Sequence, residues 1–115
     1  MALDLRHFRQ AVVALEEAVA VSQDDDFVSQ LNSAQERTIQ AGVMQHFEFT
    51  YELAWKLMQR WLRINRGPGE SEPRTRKDLF RNAARAGLIA DPIPWFRYAE
   101  ARNTTSHTYN ASVSV

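Results

Sequence analysis

The chain has 115 residues, no cysteine, and fourteen acidic residues balanced by fourteen basic ones. That is about one domain's worth of chain, long enough to bury one core, and the missing thiols exclude a disulfide framework or a thiolate metal cluster. No apolar run approaches the roughly 20 residues needed to cross a bilayer, and the N-terminus "MALDLRHFRQ" lacks a signal peptide's apolar stretch, so a soluble protein of the reducing cytoplasm with no membrane contact is expected.

From Leu3 to Val21 the apolar residues Leu5, Phe8, Val12, Leu15 and Val19 recur at steps of three and four, with Arg6, Arg9, Gln10, Glu16 and Glu17 on the other side. This spacing predicts an amphipathic helix. "SQDDD" at 22–26 ends it, and Asp26 is placed to cap the next helix. Between Phe27 and Gln40 the pattern is mostly polar, and Gly42 is a point where a helix could bend.

The pattern then strengthens. One stripe runs Ile39, Val43, His46, Thr50, Leu53, Leu57, Trp61, Ile64, and an adjacent one Met44, Phe47, Tyr51, Trp55, Met58, Leu62. So wide an apolar face suits a helix buried on two sides. The stretch Ile39–Ile64 would reach about 39 Å, more than a small bundle needs, so it either bends or meets another protein, and a subunit interface is favoured.

"NRGPGESEPRT" at 65–75 reads as the one loop of the chain, because the residue before each proline is steered away from helix. Helix resumes near Thr75 or Arg76 with Leu79, Phe80, Ala83 and Ala84 inward, and Gly87 stands where a helix ends in positive φ. A fourth helix is predicted from Pro92 or Pro94 through Trp95, Phe96 and Ala99 to about Asn103. With no segment alternating as a strand does, the expected class is all-α, an antiparallel four- to five-helix bundle.

Charge is divided along the chain: residues 1–55 carry nine acids and three bases, the remainder five acids and eleven bases. Either the two halves neutralise one another or the second offers a basic surface to phosphates.

Gly-rich phosphate loops, His-Glu-x-x-His and Cys pairs are missing, so neither metal nor cofactor is expected. Glu48 and Glu52 lie one turn apart with Lys56 four residues on, which suits paired carboxylates but more simply i,i+4 salt links. His46 sits on an apolar stripe, where a core or interface histidine is commoner than a ligand; His7 reads as a surface residue. In "ARNTTSHTYN", 101–110, Arg102 closes the predicted fourth helix, and His107 and Tyr109 follow in a turn of good capping residues. Arginine offers a fork of donors to a phosphate, imidazole relays a proton near neutrality, and Asn103 can orient either partner. These are parts for metal-free RNA cleavage, although the same residues also serve as caps.

"HFEFTYELAWKLMQRWL" at 46–62, "AARAGLI" at 83–89 and "RNTTSHTY" at 102–109 together resemble the nucleotidyltransferase substrate-binding protein family, a branch of the HEPN (higher eukaryotes and prokaryotes nucleotide-binding) superfamily. The likeness spans nearly the whole chain, and Phe47, Phe49, Thr50, Glu52, Leu53, Ala54, Trp55 and Lys56 match the long-helix motif. It implies a helical bundle that dimerises and partners a minimal nucleotidyltransferase encoded by a neighbouring gene, often as a toxin–antitoxin pair handling a nucleotide-bearing substrate. The family's Arg-x4-His motif falls on Arg102 and His107, with Asn103 as its polar companion. In the ribonuclease branch these residues of two subunits meet to cleave RNA without metal, and Tyr109, of Arg-x4-His-x-Tyr, accepts AMP that silences the nuclease. Family members continue past the motif into a further helix, whereas this sequence stops at "NASVSV", so a single domain over 1–115 lacking that C-terminal helix is expected.

Overall fold

The computed structural model describes the backbone of residues 3–113 and the side chains of residues 3–104. The described residues are all-α, without a strand. The helices are α1 (Arg6–Ser22), α2 (Asp25–Val28), α3 (Ser33–Arg66), α4 (Pro68–Ser71), α5 (Arg76–Arg85) and α6 (Ile93–Val113). They group into two compact units, one of residues 4–50 and one from Tyr51 onward, with α3 supplying residues to both. No helix among the described residues is long and apolar enough to cross a membrane.

In the first unit local polar chemistry sets the breaks. Asp24, not Asp26, caps α2: its backbone is extended and its carboxylate accepts from the Phe27 N–H at 3.2 Å. Asp25 and Asp26 instead fill the first turn, where the helix dipole favours negative charge. A reciprocal capping pair opens α3. Asn32 Oδ1 accepts from the Gln35 N–H at 2.8 Å, and Gln35 Oε1 accepts from the Asn32 N–H at 3.0 Å. The helix runs through Gly42 unbroken, so its 34 residues would span about 51 Å if straight. The Thr50 hydroxyl lies 2.7 Å from the His46 carbonyl and 3.2 Å from that of buried Ala11, tying α1 to α3.

The second unit holds the main core: Tyr51, Met58, Leu62, Leu79, Phe80 and Ala83, flanked by Trp55, Trp61, Trp95 and Phe96. The stripe through Tyr51, Met58 and Leu62 is therefore the buried one. On the adjacent stripe His46 and Ile64 are exposed in this chain. Phe80 is fully buried at the centre, its ring centroid 6.4 Å from Tyr51, 5.6 Å from Trp95 and 6.4 Å from Phe96.

The stretch expected to be a plain loop contains α4. Gly67, at φ 86°, turns the chain out of α3, and Pro68 stands in the first turn of α4, where its missing N–H costs nothing. The turn is then held from both sides: Gln59 Nε2 donates to the Ser71 carbonyl and Asn82 Nδ2 to the Glu70 carbonyl, each at 3.0 Å. Thr75 caps α5 by accepting from the Asp78 N–H at 3.1 Å. At the other end Gly87, at φ 80°, closes a Schellman turn, with Leu88 N–H to Ala83 O at 2.9 Å and Gly87 N–H to Ala84 O at 3.1 Å.

The largest departure from expectation is α6. It does not end near Asn103 but continues to Val113, so Arg102, Asn103, His107 and Tyr109 share one helix rather than a corner after it. Ser, Thr and Asn are weak helix formers, yet they do not block a helix. Thr104 satisfies its hydroxyl within it by donating to the Glu100 carbonyl at 3.0 Å.

Candidate functional site

Arg102 is a candidate residue whose side chain is described. It projects from α6 toward α3, where its Nε lies 3.9 Å from Glu52 Oε1; the two side chains are 29% and 36% exposed. A pair so long, between side chains about a third exposed although the Nε atom itself is buried, contributes roughly 0–1 kcal/mol to stability, so it matters more for where it holds the guanidinium.

Glu52 is itself anchored. Its second oxygen, Oε2, accepts from the Trp55 indole N–H at 3.0 Å. The Trp55 ring in turn carries the Arg76 guanidinium on its face, 3.5 Å from the ring centroid, and Lys56 Nζ lies 5.7 Å from the same centroid. Arg76 also donates to the Tyr51 hydroxyl at 3.4 Å. Burial pushes the Tyr51 phenol above its ordinary range, opposed in part by the hydrogen bond and charge of Arg76.

One continuous contact path therefore joins Arg102, Glu52, Trp55, Arg76 and Tyr51. Beside it on α5, Lys77 Nζ lies 5.8 Å and the Arg81 guanidinium 5.1 Å from the Phe96 ring centroid, and Lys77 reaches Glu100 at 4.0 Å. Cationic side chains from α3, α5 and α6 thus collect on this unit, as the charge division of the sequence suggests.

Asn103 is exposed on α6. The side chains of His107 and Tyr109 lie outside the described residues, although their backbone belongs to α6. Along the backbone of α6, Asn103 and His107 are one turn apart, and Arg102 and Tyr109 two turns apart.

The Glu52 carboxylate faces Arg102 and the Trp55 indole, contacts that neither a carboxylate pair nor an i,i+4 link to Lys56 anticipates. His7 is exposed, in keeping with the pattern. Among the described residues no group of histidine and carboxylate side chains is arranged to hold a metal ion. Arg76, Trp55 and Tyr51 were not candidates in the sequence, because nothing short-range links them to Arg102.

Residues 3–115 match the model of a family described as nucleotidyltransferase substrate binding protein like. A Haemophilus influenzae protein named probable ribonuclease HepT is 37% identical over 109 residues, covering 94% of this chain and 75% of that one. A solved structure from the same organism, described as revealing the fold of a substrate binding domain of a nucleotidyltransferase, is similar with a TM-score of 0.83 and 36% identity, covering 92% of this chain and 79% of that one.

Proposed function

The chain belongs to the nucleotidyltransferase substrate-binding protein family, and from that premise we propose that it is the RNA-cleaving member of a toxin–antitoxin pair, restrained by a separately encoded minimal nucleotidyltransferase. The observation that carries this reading is the Arg102–Glu52 contact. It brings the two stretches of the family motif together, in a chain 37% identical to a probable ribonuclease.

The chemistry follows from the residue types. A base removes the proton from an RNA 2′-hydroxyl, and the resulting oxygen attacks the adjacent phosphorus. The bond to the 5′-oxygen then breaks, and that oxygen takes up a proton, leaving a 2′,3′-cyclic phosphate and a 5′-hydroxyl. Arg102 offsets the charge that grows on the phosphoryl oxygens. An in-line displacement needs a base on one side of the phosphorus and an acid on the other, whereas each chain brings one His107 to the motif. A homodimer that sets two α6 helices face to face supplies both imidazoles, and Asn103, one turn before His107, orients them. Exposed apolar side chains of α6 such as Ile93 and Tyr98, 52% and 42% accessible, offer surface for that mate.

The partner acts through Tyr109. Its phenol oxygen attacks the α-phosphorus of ATP held by the transferase, the bond to pyrophosphate breaks and the phenolic proton is lost. An adenylate phosphate near Arg102 then competes with RNA for the guanidinium. Incubation with the neighbouring transferase and ATP is expected to add one adenylate to the wild-type chain and stop cleavage, while Tyr109→Phe gains no mass and stays active. Restraint that is equally complete in Tyr109→Phe would exclude this route.

A further inference from the structure

We infer that Glu52 is the positioning residue that fixes the angle at which Arg102 meets a phosphate. This rests on the nuclease reading above but adds a residue and a supporting path to it. The carboxylate approaches Arg102 at Nε, the side of the guanidinium opposite the terminal fork that best matches a phosphate. A carboxylate there turns the group without taking the place of the substrate.

A lone glutamate on a helix would rotate freely, and this one is held. Glu52 Oε2 is fixed by the Trp55 indole at 3.0 Å, and the Trp55 ring is clamped by Arg76 at 3.5 Å, which also contacts Tyr51. α3, α5 and α6 each contribute a member, so the angle of Arg102 is set by packed helices rather than by its own flexible stem. The length of the Arg102–Glu52 contact fits the same role: a tight bidentate pair would hold the arginine against substrate, whereas a loose one orients it and lets it move onto the phosphate.

Two variants test this. Glu52→Gln keeps an acceptor for Trp55 but removes the charge, and Trp55→Phe keeps an aromatic face for Arg76 but removes the indole donor. Each is read by the Arg102 Nε–Hε signal in NMR and by the kinetics of RNA cleavage in excess chelator. In both variants the Nε–Hε signal is expected to shift and exchange faster with water. The kcat is expected to fall about fivefold with KM within about twofold, the signature of lost orientation rather than lost binding. An Nε–Hε signal unchanged in both variants overturns the inference whatever the activity. So does an altered signal in variants whose kcat matches that of active wild type. Wild-type protein that cleaves no RNA would remove the nuclease reading instead, and the NMR comparison would still decide whether Glu52 holds Arg102.

Discussion

Phe80→Ala tests whether the core of the second unit is what holds the site. The Phe80 ring is fully buried, with Tyr51 of α3 on one side and Trp95 and Phe96 of α6 on the other. Truncation removes the transfer energy of the ring and leaves a cavity at the meeting point of three helices, a loss of about 3–5 kcal/mol. Against a total of about 5–15 kcal/mol for a domain, this is about a fifth of the stability or more, and it lowers Tm by roughly 12–20 °C. The three tryptophans, Trp55, Trp61 and Trp95, all pack against this core, so their fluorescence in a urea titration reports its unfolding directly. Arg76 lies one turn before Phe80 on α5, and its stacking on Trp55 is expected to loosen as well. Phe80→Leu, which refills most of the volume, is expected to recover more than half of the loss. A Phe80→Ala unfolding free energy within about 1 kcal/mol of wild type would mean that this ring is not the keystone of the packing.

Gly87→Ala places a Cβ at φ 80°, where space is open but the backbone conformation is not, and is expected to cost about 1 kcal/mol in denaturant unfolding. Thr75→Ala removes the acceptor that caps α5 and is expected to cost a similar amount, about 1 kcal/mol, while Thr75→Ser retains most of it. The buried Tyr51 phenol has a folded pKa above its unfolded value of about 10. Its neutral form is therefore favoured by folding, so its contribution is complete below that value and is lost as pH rises through the folded pKa. Stability curves taken across alkaline pH are expected to fall less steeply for Tyr51→Phe than for wild type, and parallel curves would contradict the assignment. Substituting Arg102 by alanine is expected to lower RNA cleavage by about 10²-fold or more while leaving Tm nearly unchanged, since its ion pair is long, partly exposed and weak.

Helix identity was legible where apolar periodicity was strong. Leu79, Phe80 and Ala83 are buried as their spacing requires, and Gly87 takes the positive φ that its place after α5 implied. The breaks were less legible, because three consecutive aspartates offer three equivalent caps and only the backbone angles single out Asp24. α4 was hidden by its prolines and glycines, which read as loop although Pro68 is well suited to a first turn. Extension of α6 through a Ser/Thr/Asn run was missed because propensity weighs each residue alone, while Thr104 removes its own penalty by bonding within the helix. As a candidate, Arg102 was legible from motif spacing. Its partner was not: Glu52 lies far away in sequence, and the local pattern offered Lys56 as an equally good match. Co-variation between positions 52 and 102 is the kind of signal that could have shown it.

The proposed metal-free nuclease of Arg102 and His107 is tested most directly by one measurement: cleavage of RNA by the wild-type chain and His107→Ala in excess chelator, with the product ends identified. Wild type is expected to leave 2′,3′-cyclic phosphates, and His107→Ala to be slower by about 10²-fold or more with an unchanged helical spectrum. Equal rates for the two proteins, or activity that disappears with the chelator, would contradict it.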